Sequence, residues 1–178
     1  MTTMDDIQWI QTFSGQKFFP LSPRAEAVHL VDIAHALAMK CRYSGHCDRF
    51  YSVAEHSVHI SRVLPTEFAL WGLLHDAAEA YLPDVPRPIK PHLTGFAAIE
   101  RSIMREVCVR FDLPEQEPAQ VKWADTAILA DELAQVMGPS PEPWKLPLPA
   151  LGVDIKCWSP EVASLEFRMQ FYKLTGNA

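Results

Sequence analysis

The chain has 178 residues, of which 48% are hydrophobic and 21% charged, with a formal net charge of −6. A chain of this length and composition buries roughly two-thirds of its unfolded surface without a staple or a partner. Wholesale disorder and collagen-like repeats are excluded, and an acidic balance with no Lys/Arg cluster argues against a general nucleic-acid binder.

In chain order, Met1–Asp6 lacks the basic and apolar regions of a signal peptide. Residues 7–21 suggest a small hairpin, with Trp9–Phe13 and Lys17–Phe19 flanking Ser14-Gly15. The rest is helical. Asp32 caps a helix with Ile33, Leu37 and Cys41 on one side. Ser52-Val-Ala-Glu55 reads as a capping box ahead of a helix holding His56, His59, Ile60 and Val63. Thr66 precedes a helix carrying Leu70, Leu74, Ala77, Ala78 and Tyr81. Phe96, Ile99, Ile103 and Val107 mark an amphipathic fourth helix. Val121, Ala124, Ile128 and Val136 mark a fifth. Ser159-Pro160 caps a last helix, with Val162, Leu165, Met169 and Tyr172 inward.

Prolines make loops of residues 82–93 and 138–149. Trp144, Leu146 and Leu148 suggest that the second loop packs on the body. The fold class is all-α, a compact bundle of about six helices in one domain spanning 1–178. Cys41, Cys47, Cys108 and Cys157 are scattered, which fits reduced core residues rather than a disulfide framework. The longest apolar run, Phe68–Leu74, is far short of the ~20 residues that span a bilayer. The sequence reads as that of a soluble cytoplasmic protein.

The chemistry concentrates in Leu73-Leu-His75-Asp76-Ala-Ala-Glu79-Ala-Tyr81. On a helix His75 and Asp76 point about 100° apart, so one metal between them is within reach of both. Glu79 lies on the same flank, placed to hold a metal-bound water. Asp125 sits on a face that should be buried, where a carboxylate needs a strong partner. His56 lies in the first turn of its helix. Two imidazoles and two carboxylates suit one divalent ion of the Mn²⁺, Co²⁺, Fe²⁺, Ni²⁺ or Zn²⁺ type, with Mg²⁺ also admitted. Such an ion lowers the pKa of its water and polarises a phosphoryl group. Taken singly, each of these residues reads better as an ordinary core pair or cap, since His-Asp dipeptides are common. Asp131 and Glu132 read as an exposed charged face, and Trp71 and Trp123 as core.

His56, His75-Asp76 and Asp125 resemble, in order, the H…HD…D signature of the HD superfamily of metal-dependent phosphohydrolases. Ser52–Ser57, His75–Tyr81, Asp84–Lys90 and Ala124-Asp125 are similar to segments of bacterial 5′-deoxynucleotidases. Cys41–His46 and Phe50–His56 resemble the small HD proteins of phages and prophages, among them dATP triphosphohydrolases. The resemblance covers about residues 18–135.

It implies that His56, His75, Asp76 and Asp125 ligate the metal and that Glu79 orients or deprotonates the attacking water. It places Asp84 at the loop edge as a proton donor or water-positioning group. It gives Arg42 a substrate phosphate to bind through its planar fork, and Lys90 a phosphate to neutralise. Tyr43 stands where the 5′-deoxynucleotidases have Trp. His46, in the loop beside Arg42, reads as a substrate contact or a structural residue, and Arg87 as solvating the proline loop. The implied activity is hydrolysis of a small nucleotide, a deoxynucleotide above all, as monophosphate or triphosphate. The alternative is an HD-fold nucleotide sensor without turnover. The resemblance also implies a homo-oligomer, with no membrane and no nucleic-acid polymer as partner.

Overall fold

The computed structural model describes residues 8–176. The N-terminal Met1–Asp6, read above for a leader, lies outside them. Among the described residues there are six α-helices and one two-stranded hairpin. Among these residues no helix is long and apolar enough to cross a membrane.

The hairpin pairs β1 (Ile10–Gln11) with β2 (Lys17–Phe18), in the register Ile10 opposite Phe18. Its tip turns at Gly15, whose φ of +80° suits a residue without Cβ. Phe18 is fully buried and stacks on Tyr81, a burial worth about 1.5–3 kcal/mol. The hairpin is pinned to α1 (Leu30–Met39) by Asp32. That carboxylate accepts hydrogen bonds from Ser14 N at 2.6 Å and Ser14 Oγ at 2.9 Å. Asp32 therefore does not cap its own helix, as the sequence suggested; it lies inside the first turn and turns toward the hairpin. Cys41 falls beyond the end of α1.

α2 (Val53–Val63) is the central helix, buried along Val53–Ser61. Ser52 caps it, accepting from Glu55 N at 3.1 Å. Glu55 does not reach back to complete a capping box. Its carboxylate accepts instead from the backbone N–H groups of Lys156 (2.7 Å), Cys157 (3.0 Å) and Trp158 (2.7 Å). The expected helix through Tyr81 is α3 (Thr66–Leu74), interrupted at His75-Asp76 and continued as a 3₁₀ turn, Ala77–Ala80. The apolar periodicity survives the change, since Leu74, Ala77, Ala78 and Tyr81 are all buried.

α4 (Phe96–Phe111) and α5 (Ala119–Val136) follow their sequence patterns, with Ile103 and Val107, and Val121, Ala124, Ile128 and Val136, buried. Asp131 and Glu132 are also buried, 5% and 0% exposed, where an exposed face was expected. Asp131 accepts from Leu151 N, Gly152 N and Val153 N. It and Glu55 thus hold one strap, residues 151–158, that leads into the last helix. A buried carboxylate is tolerated in each case because backbone donors satisfy it. Trp71 is core, donating Nε1–H to Pro114 O, whereas Trp123 is 49% exposed.

α6 (Pro160–Thr175) is capped by Ser159, which accepts from Val162 N. It packs against α1, α2 and α3 through Ala163, Phe167, Gln170 and Phe171. Val162, Leu165, Met169 and Tyr172, read from sequence as the inward face, are exposed. Both faces of this helix carry apolar side chains, so periodicity could not say which one meets the core.

Candidate metal centre

α2, the break after α3, and α5 bring His56, His75 and Asp125 into one cluster, with Asp76 beside the two rings. His56 Nε2 lies 3.3 Å from His75 Nε2 and 3.3 Å from Asp125 Oδ1. His75 Nε2 lies 3.2 Å from Asp76 Oδ2 and 3.9 Å from Asp125 Oδ1. Asp76 Oδ2 is 3.9 Å from His56 Nε2. Ligand atoms ~2.0–2.2 Å from one ion stand roughly 3–4 Å apart, and these separations fall in that range. Donor atoms of His56, His75 and Asp125 all lie within 4.8 Å of one another, close enough to hold one metal ion.

The outer ring atoms fix the orientation. His56 Nδ1 donates to Glu132 Oε1 at 2.7 Å, and His75 Nδ1 donates to Gly72 O at 2.8 Å. Both acceptors lack a proton, so each Nδ1 must carry one. In the neutral rings both Nε2 lone pairs then face the same point as two carboxylates. Histidines that bind metal characteristically present one nitrogen and anchor the other in this way. The chain break at His75-Asp76 serves that geometry. Asp76 leaves the helical region, with φ −98° and ψ 13°, and its carboxylate swings beside the His75 ring.

The electrostatics follow. Burial pulls the His75 imidazole down, but Asp76 and Asp125 outweigh it and raise the group to about 9. Burial pushes the Asp76 carboxyl up, yet His75, His56 and Arg42 hold it below the usual range. Asp125 is likewise lowered against its burial by His56 and His75. A cation entering this set displaces a proton from the pair.

Glu132 is the residue that sequence reading missed. Besides His56 it pairs with Arg42, whose Nη2 donates to Oε2 at 3.1 Å while Nε lies 3.0 Å from Oε1 without hydrogen-bond alignment, and the Tyr43 hydroxyl donates to it. Burial would raise its carboxyl, but Arg42 and His56 hold it well below the ordinary value. The signal was present: Glu132 is seven residues after Asp125, so both lie on one face of α5. Arg42 therefore does not offer its full fork to a phosphate. That fork clasps Glu132, and the remaining Nη1 stands 3.9 Å from Asp76 Oδ2, facing the cluster.

Arg42 and Tyr43 are aimed by a strained turn. Tyr43 and Ser44 have φ of 54° and 53°, ahead of Gly45 at 83°. Non-glycine residues adopt this region at a cost, and such costs gather at functional sites. The Trp144 ring lies 6.0 Å from that of Tyr43, so the second proline loop packs against this turn.

Glu79 sits in the 3₁₀ turn, with a buried Oε2 that has no hydrogen-bond partner. Burial, then Asp76 and Asp84, raise its carboxyl to about 8. Asp84, half-buried at the start of the proline loop, acts on Glu79 and on Lys40. Lys40, another group the sequence did not reveal, donates its ammonium to the carbonyls of Glu79 and Leu82 and so stakes down the turn. Arg87, read as a solvated loop residue, reaches the rim, with Nη2 3.4 Å from Asp125 Oδ2. Two predicted substrate groups are not gathered in. Lys90 pairs with Glu100 on α4 at 2.7 Å. His46 is exposed at the end of the strained turn. His59 turns to Glu55 and stacks on Trp158.

No family model matches the chain. It is 39% identical over 126 residues to the uncharacterized protein YfdR of Escherichia coli, covering 71% of each chain. It is 33% identical over 144 residues to the uncharacterized protein RCAP_rcc00048 of Rhodobacter capsulatus, covering 73% of this chain and 74% of the other.

Proposed function

The chain belongs to the family of YfdR, and we propose that this member is an HD-type, metal-dependent phosphohydrolase acting on small deoxynucleotides. The observation that carries the reading is the meeting of His56 Nε2 and His75 Nε2 with Asp76 and Asp125, each ring anchored through Nδ1. These four residues hold one divalent ion. When bound, the ion supplies a Lewis acid that polarises a phosphoryl oxygen and lowers the pKa of coordinated water.

The chain's own groups do the rest. Glu79, with an unpartnered buried oxygen and a carboxyl raised to about 8, orients the attacking water beside Asp76 and takes its proton in the fraction of molecules, growing as pH rises toward 8, in which the carboxylate is ionised. Arg42 Nη1 meets the phosphate charge beside Asp76 while Glu132 holds the planar guanidinium in place. Asp84, close enough to act on Glu79 electrostatically, positions water at the loop edge, through which the proton taken by Glu79 reaches the leaving oxygen. Arg87, 69% exposed in its side chain and beside Asp125, supplies positive charge beyond Arg42. That extra cation favours a triphosphate over a monophosphate.

Incubation of the metal-loaded protein with dATP and dAMP separates the two. The reading predicts tripolyphosphate from dATP; orthophosphate from dAMP alone would move the substrate to the monophosphate. Absence of turnover across a nucleotide panel with Mn²⁺, Co²⁺ and Mg²⁺ would overturn the enzymatic reading.

A further inference from the structure

α6 carries two apolar faces, and the core uses one. Ala163, Phe167, Gln170 and Phe171 are buried. Val162, Leu165, Met169 and Tyr172 stand on the other side, 41%, 48%, 55% and 42% exposed. Their spacing of three, four and three is the a/d seam of a coiled-coil heptad. Four large side chains aligned along three turns of one surface helix are more than scattered exposure explains.

The charges flanking this seam say what covers it. Glu161 and Arg168 border it on one side, Glu166 and Lys173 on the other. We propose that α6 pairs antiparallel with α6 of a second copy of this chain. In an antiparallel pair like-named flanking positions meet, so Glu161 of one copy faces Arg168 of the other, and Glu166 faces Lys173. The two-fold axis repeats both contacts. A parallel pair would set Glu161 against Glu166 and Arg168 against Lys173, like charges at every flank. The acidic first half and basic second half of α6 thus select one direction. Glu166 also pairs with Arg62 of its own chain, and a carboxylate has oxygens for both partners. None of the metal-centre residues lies on α6, so the interface and the site can be altered separately.

Sedimentation velocity over a concentration series tests this on the full chain. The wild type sediments as a dimer, with a dissociation constant on the order of micromolar for so short a seam. Leu165→Glu combined with Met169→Glu gives a monomer with unchanged circular dichroism and melting temperature, because both side chains face solvent in the single chain. Glu166→Lys weakens the dimer by about tenfold or more. Adding Lys173→Glu to it restores association. A monomeric wild type, a dimer indifferent to the seam variants, or a charge swap that fails to restore pairing would each overturn the proposal.

Discussion

Glu132 Oε1 lies 2.7 Å from His56 Nδ1, and the same carboxylate is clasped by Arg42. One buried acid therefore fixes both the His56 ring at the candidate metal centre and the Arg42 guanidinium beside Asp76. Replacing it with Gln keeps an acceptor for His56 but removes the charge. Glu132→Gln should weaken divalent-metal binding roughly 10–100-fold, the usual cost of losing such an outer partner. Titration calorimetry of the variant checks this, and an unchanged affinity would show that Glu132 serves the fold alone.

Asp76 and Glu79 should separate by readout. Asp76→Ala loses metal and turnover together. Glu79→Ala keeps the metal and slows hydrolysis by ~10²-fold or more. Metal content by elemental analysis, measured beside nucleotide turnover, distinguishes them; metal loss in the Glu79 variant would place that residue among the ligands.

Glu79 also makes a prediction for the metal-free protein. Its carboxyl rises from 4.5 to about 8, chiefly through burial, so the folded state holds the proton more tightly than the unfolded chain. The stability this contributes is complete below about pH 4.5 and is lost as pH rises through 8. Glu79→Gln mimics the protonated form. Its melting temperature should match the wild type in acid and exceed it above pH 8, by about 2–4 °C for each kcal/mol recovered. Equal melting temperatures at pH 9 would contradict the assignment.

Glu55 bears on the fold. Its carboxylate satisfies three backbone donors of residues 156–158 from a fully buried position. Glu55→Ala should destabilise the protein by roughly 3 kcal/mol or more, the scale for losing several charge-assisted bonds. Chemical denaturation measures it, and a loss under ~1 kcal/mol would mean that the strap is held elsewhere.

The helices and the four converging residues were legible because apolar periodicity and rare buried polar types are local signals. His56, His75, Asp76 and Asp125 could be picked from the sequence, since each interrupts an apolar face. Glu132 was lost beside Asp131, where two adjacent acids look like a solvated surface. Only the packing of the 151–158 strap and of Arg42 reveals that both are buried. The break at His75-Asp76 was invisible because the 3₁₀ turn buries the same residues that a continued helix would. α6 was misread for a different reason: its more regular apolar stripe faces outward, so regularity pointed to the wrong side. Arg42 is singled out by the family resemblance, which gives its fork to phosphate; its partner Glu132 lies 90 residues away, out of reach of any local signal.

The central claim is that His56, His75, Asp76 and Asp125 hold one cation. Titration of the metal-free protein with Co²⁺, followed by calorimetry, tests it most directly. One ion bound per chain, with the binding lost in His75→Ala and in Asp125→Ala while both variants remain folded, is the predicted result. No saturable binding by the wild type, or equal binding by those variants, would contradict it.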